Sequence, residues 1–451
     1  MNQDLTKGPI LKTMLLFSLP MIAGNMLQQF YNIADTLIVG KFLGSHALAA
    51  VGSAYTLMIF LTSILLGLCM GCGALFSIQF GGQQMEQLKN SLFVSFVLIA
   101  IITLVINGAV FLFIDPIMVF LRVPEEIYGL MREYLWIIFF GISATFLYNF
   151  FACLLRAVGN SLIPLVFLGV SALLNIGLDL YFVISLKLGV GGAAMATVIS
   201  QFVSGIGICL YTLLCCPQFR VQQRHMVWNS STLLEITQFS TLTCIQQSVM
   251  NFGILMVQGL VNSFGPVVMA AFAAAVKIDS FAYMPVQDFG NAFSTFIAQN
   301  YGAGRPQRIR QGISSAIKVS VLFCVVISLL VFLLARPLLL IFVQPHETEI
   351  LTEGVLYLRV EGSFYWGIGC LFLLYGLYRA VKKPGMSVVL TVISLGTRVL
   401  LAYVLSAYIG VVGIWMAIPI GWVLADLAGL LYYRLKCQEL LRFPKTPGQE
   451  L

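Results

Sequence analysis

Apolar runs, each long enough to cross a bilayer, follow one another along the chain with short polar breaks between them. Twelve are legible, at 14–37, 48–75, 91–113, 134–154, 162–184, 190–214, 234–262, 267–297, 314–335, 356–378, 386–407 and 411–433. A helix rises about 1.5 Å per residue, so roughly twenty residues cross the hydrocarbon core. The runs are too long and too uniformly apolar for outer-membrane β-strands, whose side chains alternate in polarity. An α-helix satisfies its own backbone in lipid. The pattern therefore predicts an all-α polytopic membrane protein with twelve transmembrane helices.

The polar breaks orient these spans. With the N-terminus inside, seventeen Lys and Arg residues fall in inner segments, among them Lys89, Arg156, Arg224, Arg305, Arg308 and Lys383. Six fall outside: Lys41, Arg122, Arg132, Lys187, Arg336 and Arg359. Basic residues are retained on the cytoplasmic side, so both termini are expected in the cytoplasm of a cell whose inner or plasma membrane holds the protein. The first apolar run is too long for a signal-peptide core and is expected to remain as span 1.

The breaks also repeat. "QFGGQ" ends at Gln83 and "NYGAG" at Gly304, 221 residues later; Asp115-Pro116 and Arg336-Pro337, Pro124 and Pro345, and "GVGGAAMA" from Gly189 and "GVVGIWMA" from Gly410 keep the same offset. "RAV" recurs at Arg156 and Arg379, 223 apart. Six spans per copy is an even number, so both copies point the same way. The expectation is two six-helix lobes related by a pseudo-two-fold axis along the membrane normal, with a substrate path near the midplane. The expected parts are an N-terminal lobe at 1–214, a cytoplasmic linker at 215–232, a C-terminal lobe at 233–435 and a tail at 436–451.

Composition agrees: 59% of residues are hydrophobic, 10% are charged, and mean hydropathy is +0.95. The +7 net charge is scattered over short inner loops, a topology signal with no basic patch for nucleic acid. Cys69 and Cys72 form a C-x-x-C inside span 2 and read as small packing thiols. His46, His225 and His346 are far apart in loops, so no metal site is expected from them. No nucleophile motif, phosphate loop or G-x-x-x-x-G-K-[ST] is present, which excludes an ATP-driven pump and argues against an enzyme.

Within the apolar background Asp35 and Asp179 stand out. An acid at the centre of a spanning helix costs about 2.5–3.5 kcal/mol by insertion scales. Such a group faces the protein interior or a water-filled path. Asn175 lies one turn from Asp179 on the same helix face, and Thr197 follows on span 6. Spans 1, 5 and 6 bring these four oxygen-bearing groups to similar depth, near the outer side. At the 221-residue offset they become Met256, Gly396, Leu400 and Ile418. A group needed only to fold the repeat would have been wanted in both copies, so the asymmetry points to function. Oxygen ligands suit a proton or a hard cation, H⁺ or Na⁺. Pro20, fifteen residues before Asp35, removes a hydrogen bond inside span 1 and offers a bend.

The stretches "LPMIAGNMLQQFYNIADTLIVGKFLG", "LLNIGLDLYFV" and "GGAAMATVISQ", with the paired "QFGGQ" and "QNYGAG" loops, resemble the multidrug and toxic compound extrusion (MATE) family along nearly the whole chain. The resemblance implies a secondary antiporter that exports drugs or organic, often cationic, metabolites in exchange for H⁺ or Na⁺. It implies that Pro20 is the family's bending proline, and that Asp35, Asn175, Asp179 and Thr197 form its N-lobe polar cluster. Cation entry would then load the two aspartates and let span 1 bend around Pro20. Some family branches place an acidic cation site on spans 7 and 10. Here span 7 has no carboxylate in its membrane core and span 10 has only Glu361, near its outer end, so a site of that type is not expected.

The second copy carries its own charges: Lys277, Asp279 and Asp288 on span 8, Arg398 on span 11 and Asp426 on span 12. They read either as a network that closes the lobe or as a site where Lys277 or Arg398 meets a polar substrate group. Tyr31, Tyr283 and Met284 are candidates for an adaptable lining. The alternative function is a flippase for a lipid-linked precursor, which Lys277 and Arg398 would serve. The expected partners are a small-molecule substrate and the bilayer, with no cofactor beyond the coupling ion and no second subunit.

Overall fold

The computed structural model describes residues 4–121 and 123–440. Arg122, and the expected tail beyond residue 440 with Arg442 and Lys445, lie outside them. The described residues are helical between short turns, with no strand. In chain order the helices are α1 (Ile10–Leu43), α2 (Ser45–Gly81), α3 (Met85–Leu112), α4 (Ile114–Phe120), α5 (Glu125–Ile138), α6 (Gly141–Ala157), α7 (Leu162–Asp179), α8 (Gly189–Cys215), α9 (Ser230–Asn262), α10 (Pro266–Gly302), α11 (Pro306–Leu339), α12 (Thr348–Gly362), α13 (Tyr365–Ala380), α14 (Pro384–Ile409) and α15 (Val411–Leu440). Proline opens α10, α11 and α14, where its missing N–H and fixed φ cost nothing.

Ten of these helices are long and apolar enough to cross a membrane alone, and two pairs pass together, which gives twelve spans. The pairs are α5 with α6, bent by 45°, and α12 with α13, bent by 50°. The expected spans at 134–154 and 356–378 differ from these in extent. Both pairs begin earlier, at Glu125 and Thr348, and both break. The apolar run is continuous through each break, so the pattern could not mark it. The backbone does: Phe140 N–H reaches back three residues to Ile137, and Phe364 N–H three residues to Glu361.

The duplication is written in the backbone. Left-handed residues occur in register-matched pairs: Gly44 with Gly265 (φ 88° and 96°), Gln83 with Gly304 (56° and 63°), Gly189 with Gly410 (62° and 65°), and Gly159 with Lys382 (86° and 60°). Gln83 and Lys382 carry a side chain where the other copy has glycine. They hold the conformation at the steric cost that left-handed backbone imposes on an L residue.

The described chain divides into two compact units. One contains Leu19–Phe80 and Gln84–Cys244; the other contains Asp4–Ser18, Gly81–Gln83 and the chain from Ile245 onward. The divisions fall inside α1, at the last residue of α2 and inside α9, and the first, between Ser18 and Leu19, lies next to Pro20. In the first unit α2 approaches the start of α9 through a small-residue step. A Cβ on Gly67 would stand 2.6 Å from Cys244 Cα, and one on Gly71 would collide with the Phe239 carbonyl oxygen. Gly67-x-x-x-Gly71 is the spacing that lets two membrane helices meet backbone to backbone. Cys69 and Cys72, on the same stretch, are buried free thiols. In the second unit Asp4–Ser18 docks by its backbone. Asn300 and Arg308 donate to the Leu5 carbonyl, Arg305 to Thr6 and Arg308 to Gly8.

Candidate functional site

In the first unit α1, α7 and α8 bring together the four polar residues singled out in the sequence. Asp179 closes α7 and is fully buried, and Asn175 one turn earlier is 1% exposed. Asn175 Nδ2 donates to Thr197 Oγ1 on α8 over 3.2 Å. Asp35 on α1 is half-buried, with its carboxyl within hydrogen-bonding reach of Asp179. Two carboxylates are acceptors only, so that contact requires a shared proton or a bound cation. Beyond it Asp35 Oδ1, both Asp179 oxygens and Asn175 Oδ1 are buried with no donor against them. Among the described residues no Lys, Arg or His acts electrostatically on either carboxyl. The site is rich in acceptors, and among the described residues no basic side chain balances them.

Its surroundings are aromatic and locally irregular. Tyr31, one turn before Asp35, lies in electrostatic range of both carboxyls, as does the buried Tyr134 of α5, and Tyr55 of α2 lies in range of Asp35. Asn32 Nδ2 donates to the Tyr55 hydroxyl over 3.2 Å. Directly after Asp179 the helix widens into a π-helical turn, Leu180–Ser185. Such turns free backbone groups and recur at functional sites.

The second unit holds a carboxyl pair that the sequence reading did not foresee. Asp279 of α10 and Glu361 of α12 are buried, at 2% and 4% exposure, within hydrogen-bonding reach of each other. The Tyr365 hydroxyl donates to Asp279 Oδ1, and the Tyr357 hydroxyl lies near both carboxyls. Asp279 Oδ2 and Glu361 Oε2 have no other donor. Arg398 of α14 acts electrostatically on both carboxyls, and its Nε is buried without an acceptor. Glu361 stands beside the break between α12 and α13, where the helix cannot supply every backbone bond.

The remaining candidates are dispersed. Lys277 is exposed, with Nζ 5.7 Å from the Phe342 ring, because two residues along a helix turn it away from Asp279. Tyr283 lies in electrostatic range of Asp279 and Glu361, and its ring is 6.3 Å from Phe372. Met284 is buried in the same helix. Asp288 is buried more than two turns further along α10. Asp426 on α15 is buried with both oxygens lacking a donor, near Gly367 and Cys370. Pro20 lies within α1, which continues through it; the Ser18 hydroxyl turns back to the Leu15 carbonyl over 3.0 Å.

The sequence profile of the MatE family matches residues 20–181 and again 242–404, one copy per repeat. The chain belongs to the MatE family. The chain is 30% identical over 436 residues to the probable multidrug resistance protein YpnP of Bacillus subtilis, with 96% of each covered. It is 26% identical to the FAD transporter of Shewanella oneidensis, covering 95% of each. A solved MOP superfamily transporter from Pyrococcus furiosus shares the fold, with a TM-score of 0.91 at 23% identity, covering 97% of this chain and 98% of that one. The protein is thus a multi-pass membrane protein of the MatE transporter family.

For this MatE chain the missed residues are Glu361, Tyr357 and Tyr365. The available signal was two acids, Asp279 beside Asp288 on span 8 and Glu361 on span 10; because that span begins at Thr348, Glu361 lies at its middle and not near its outer end as expected. Their repeat counterparts, Met58 and Phe140, are apolar, the same asymmetry that marks Asp35 and Asp179.

Proposed function

We propose that this protein is a secondary antiporter that exports organic small molecules across the cell membrane in exchange for inward H⁺ or Na⁺, bound between Asp35 and Asp179. The carrying observation is the contact between these two carboxyls, with four orphaned acceptor oxygens and, among the described residues, no basic side chain to balance them. A net negative charge buried in a bilayer is costly, so the pair takes a cation whenever one reaches it. A proton is held by the carboxyls alone. A sodium ion draws on Asn175 Oδ1 and the Thr197 hydroxyl as further oxygen ligands.

Loading removes the charge that keeps the outer half of α1 hydrated, and the helix shifts about Pro20, where one backbone bond is already absent. Cation and substrate then favour opposite states of one element, which is the thermodynamic requirement for exchange. The substrate class follows the relatives: drugs, as for YpnP, or a larger metabolite, as for the Shewanella FAD transporter. The protein is read as a monomer with both termini in the cytoplasm. The flippase reading gains no support, because it needs free cations in a cavity. Lys277 is exposed beside Phe342, and Arg398 lies in electrostatic range of two carboxyls.

The test is efflux of a cationic dye from cells and its uptake into inverted vesicles under an imposed gradient. Asp35→Asn and Asp179→Asn are each expected to abolish gradient-driven transport. Full activity in either would end the coupling role. Repeating the assay with sodium replaced by potassium, and with an uncoupler, separates the two ions.

A further inference from the structure

The linker between the repeats is strapped to one face of α3, turn by turn. Its first part is tucked in: Phe219 is buried with its ring 6.2 Å from Phe80 on α2, and Arg220 Nε donates to the Leu213 carbonyl. His225 is buried too and is held at both ring nitrogens. Its Nδ1 accepts from the Gln222 N–H over 2.9 Å, so Nε2 carries the hydrogen and donates to Glu86 Oε2 over 2.9 Å. Glu86 Oε1 accepts from Arg224 over 3.3 Å. One turn along α3, Asn90 Nδ2 donates to the His225 and Val227 carbonyls, over 2.9 and 2.7 Å. A further turn on, the Phe93 ring meets Trp228 edge-on with centroids 5.9 Å apart.

These contacts climb toward the membrane. Glu86, Asn90 and Phe93 share a face of α3 that continues through Val97, Ile101 and Leu104, and the last two are exposed. Exposed apolar side chains along a helix that crosses the membrane meet lipid. From Glu86 to Phe93 is about 10 Å along the helix axis. The linker therefore rises from the polar end of α3 to the start of its apolar run, and there Met226, Val227 and Trp228 are themselves exposed. We propose that Met226, Val227 and Trp228 anchor the linker in the lipid–water boundary beside α3. An indole suits that depth, with an apolar ring and one N–H donor. Arg220 and Arg224 are exposed a few residues earlier, where their long side chains reach lipid phosphates. Lipid is favoured over a protein partner because the apolar surface runs on into the lipid face of a spanning helix. No residue of this surface belongs to the Asp35–Asp179 cluster, so it stands apart from the coupling reading. In the orientation proposed above, the boundary is the cytoplasmic one.

The experiment uses the full-length protein in nanodiscs of phosphatidylcholine and phosphatidylglycerol, each holding a single copy. The chain has five tryptophans, so the Trp228 signal is the fluorescence of the native protein minus that of Trp228→Phe. Lipids brominated near the headgroup end of the acyl chain are expected to remove more of this signal than lipids brominated near the chain end, while aqueous iodide removes little. Iodide quenching without bromine quenching overturns the proposal, since the segment then lies in water or awaits a protein partner. Deep bromines acting more strongly than shallow ones overturn it as well, by placing the indole in the hydrocarbon core. Hydroxyl-radical footprinting of the native protein in the same discs needs no variant and decides the question should Trp228→Phe fail to fold. Met226 protected from oxidation supports the anchor, and Met226 oxidised as fast as in a free peptide of residues 222–230 refutes it. Both faces of a nanodisc are open to water, so neither readout depends on the orientation of the chain.

Discussion

At the scale of single residues, the N-lobe cluster depends on how each oxygen is held. Thr197 is the one partner seen for Asn175 Nδ2, and that bond fixes which atom of the amide points onward. Thr197→Val keeps the shape and removes the oxygen. Hydrogen bonds between membrane helices contribute about 0.6 kcal/mol on average, so ion affinity should fall roughly threefold while maximal transport is retained. The cation dependence of dye efflux measures this, and an unchanged half-saturation would show that Thr197 has no part in holding the ion. This cluster was legible in the sequence because Asp35 and Asp179 are lone acids in apolar runs, and such groups have few places to go. The Asp279–Glu361 pair was not, because along the chain Asp279 stands with Lys277 and Asp288, while Glu361 sits on a span whose expected partner, span 7, has no acid in its core. Lys277, Asp279 and Asp288 looked like one group by proximity along the chain, yet helical rotation sends Lys277 to an exposed face and Asp279 into the core.

At the scale of elements, two contacts carry separate predictions. The first is the seam between α2 and the start of α9. Valine at Gly71 would drive its side chain into the Phe239 backbone, which cannot swing aside as a side chain can. Overpacking of this kind costs about 1–3 kcal/mol, so Gly71→Val should lower the melting temperature of the purified protein. Gly108→Ala on α3, where a Cβ meets nothing within 4 Å, should not. Equal effects would remove the seam as a determinant. The second is the short helix α4, which Asp115 ties to α5: it accepts from Arg132 Nε over 2.8 Å and from the Tyr128 hydroxyl over 3.0 Å. The hydrogen bond from Arg132, then that from Tyr128, holds the Asp115 carboxyl below its ordinary range. A depressed folded-state value means the stabilisation is present above the unfolded value and is lost as pH falls through the folded one. Asp115→Asn should therefore be slightly less stable than the native protein at neutral pH and indistinguishable from it in acid, by thermal melts at both. The sequence showed these residues only as a repeated "DP" and "RP" step. Charge reversal between the copies gave no hint that Arg132 would reach back seventeen residues.

For the molecule as a whole, the duplication was legible almost to the residue, since the repeated offset reappears as matched left-handed positions. What composition could not reveal is where the chain divides. A linker at 215–232 suggests cutting there into two independent halves, whereas the compact units exchange segments on either side of it. Asp4–Ser18 packs with the unit that begins at Ile245, and Ser230–Cys244 packs with the unit that precedes it. The reasons are local. Asn300, Arg305 and Arg308 point donors at the carbonyls of Leu5, Thr6 and Gly8, and Arg308 Nε also holds Asn300 Oδ1 over 3.1 Å. Without residues 4–8 these donors lose their backbone acceptors, and Leu5, fully buried in the native chain, leaves an unfilled site. In the other direction, a first half ending at residue 228 would leave the flat faces of Gly67 and Gly71 without the backbone that fills them. Expressed alone, residues 229–451 should therefore be protease-sensitive and aggregated in detergent. Co-expression with residues 1–228 should restore a monodisperse complex that melts close to the intact chain. Limited proteolysis and size-exclusion chromatography of the half-chains, singly and together, measure this. A second half that is as stable alone as in the complex would show that the strap at Asp4–Ser18 contributes nothing, and that the duplication produced two self-sufficient lobes after all.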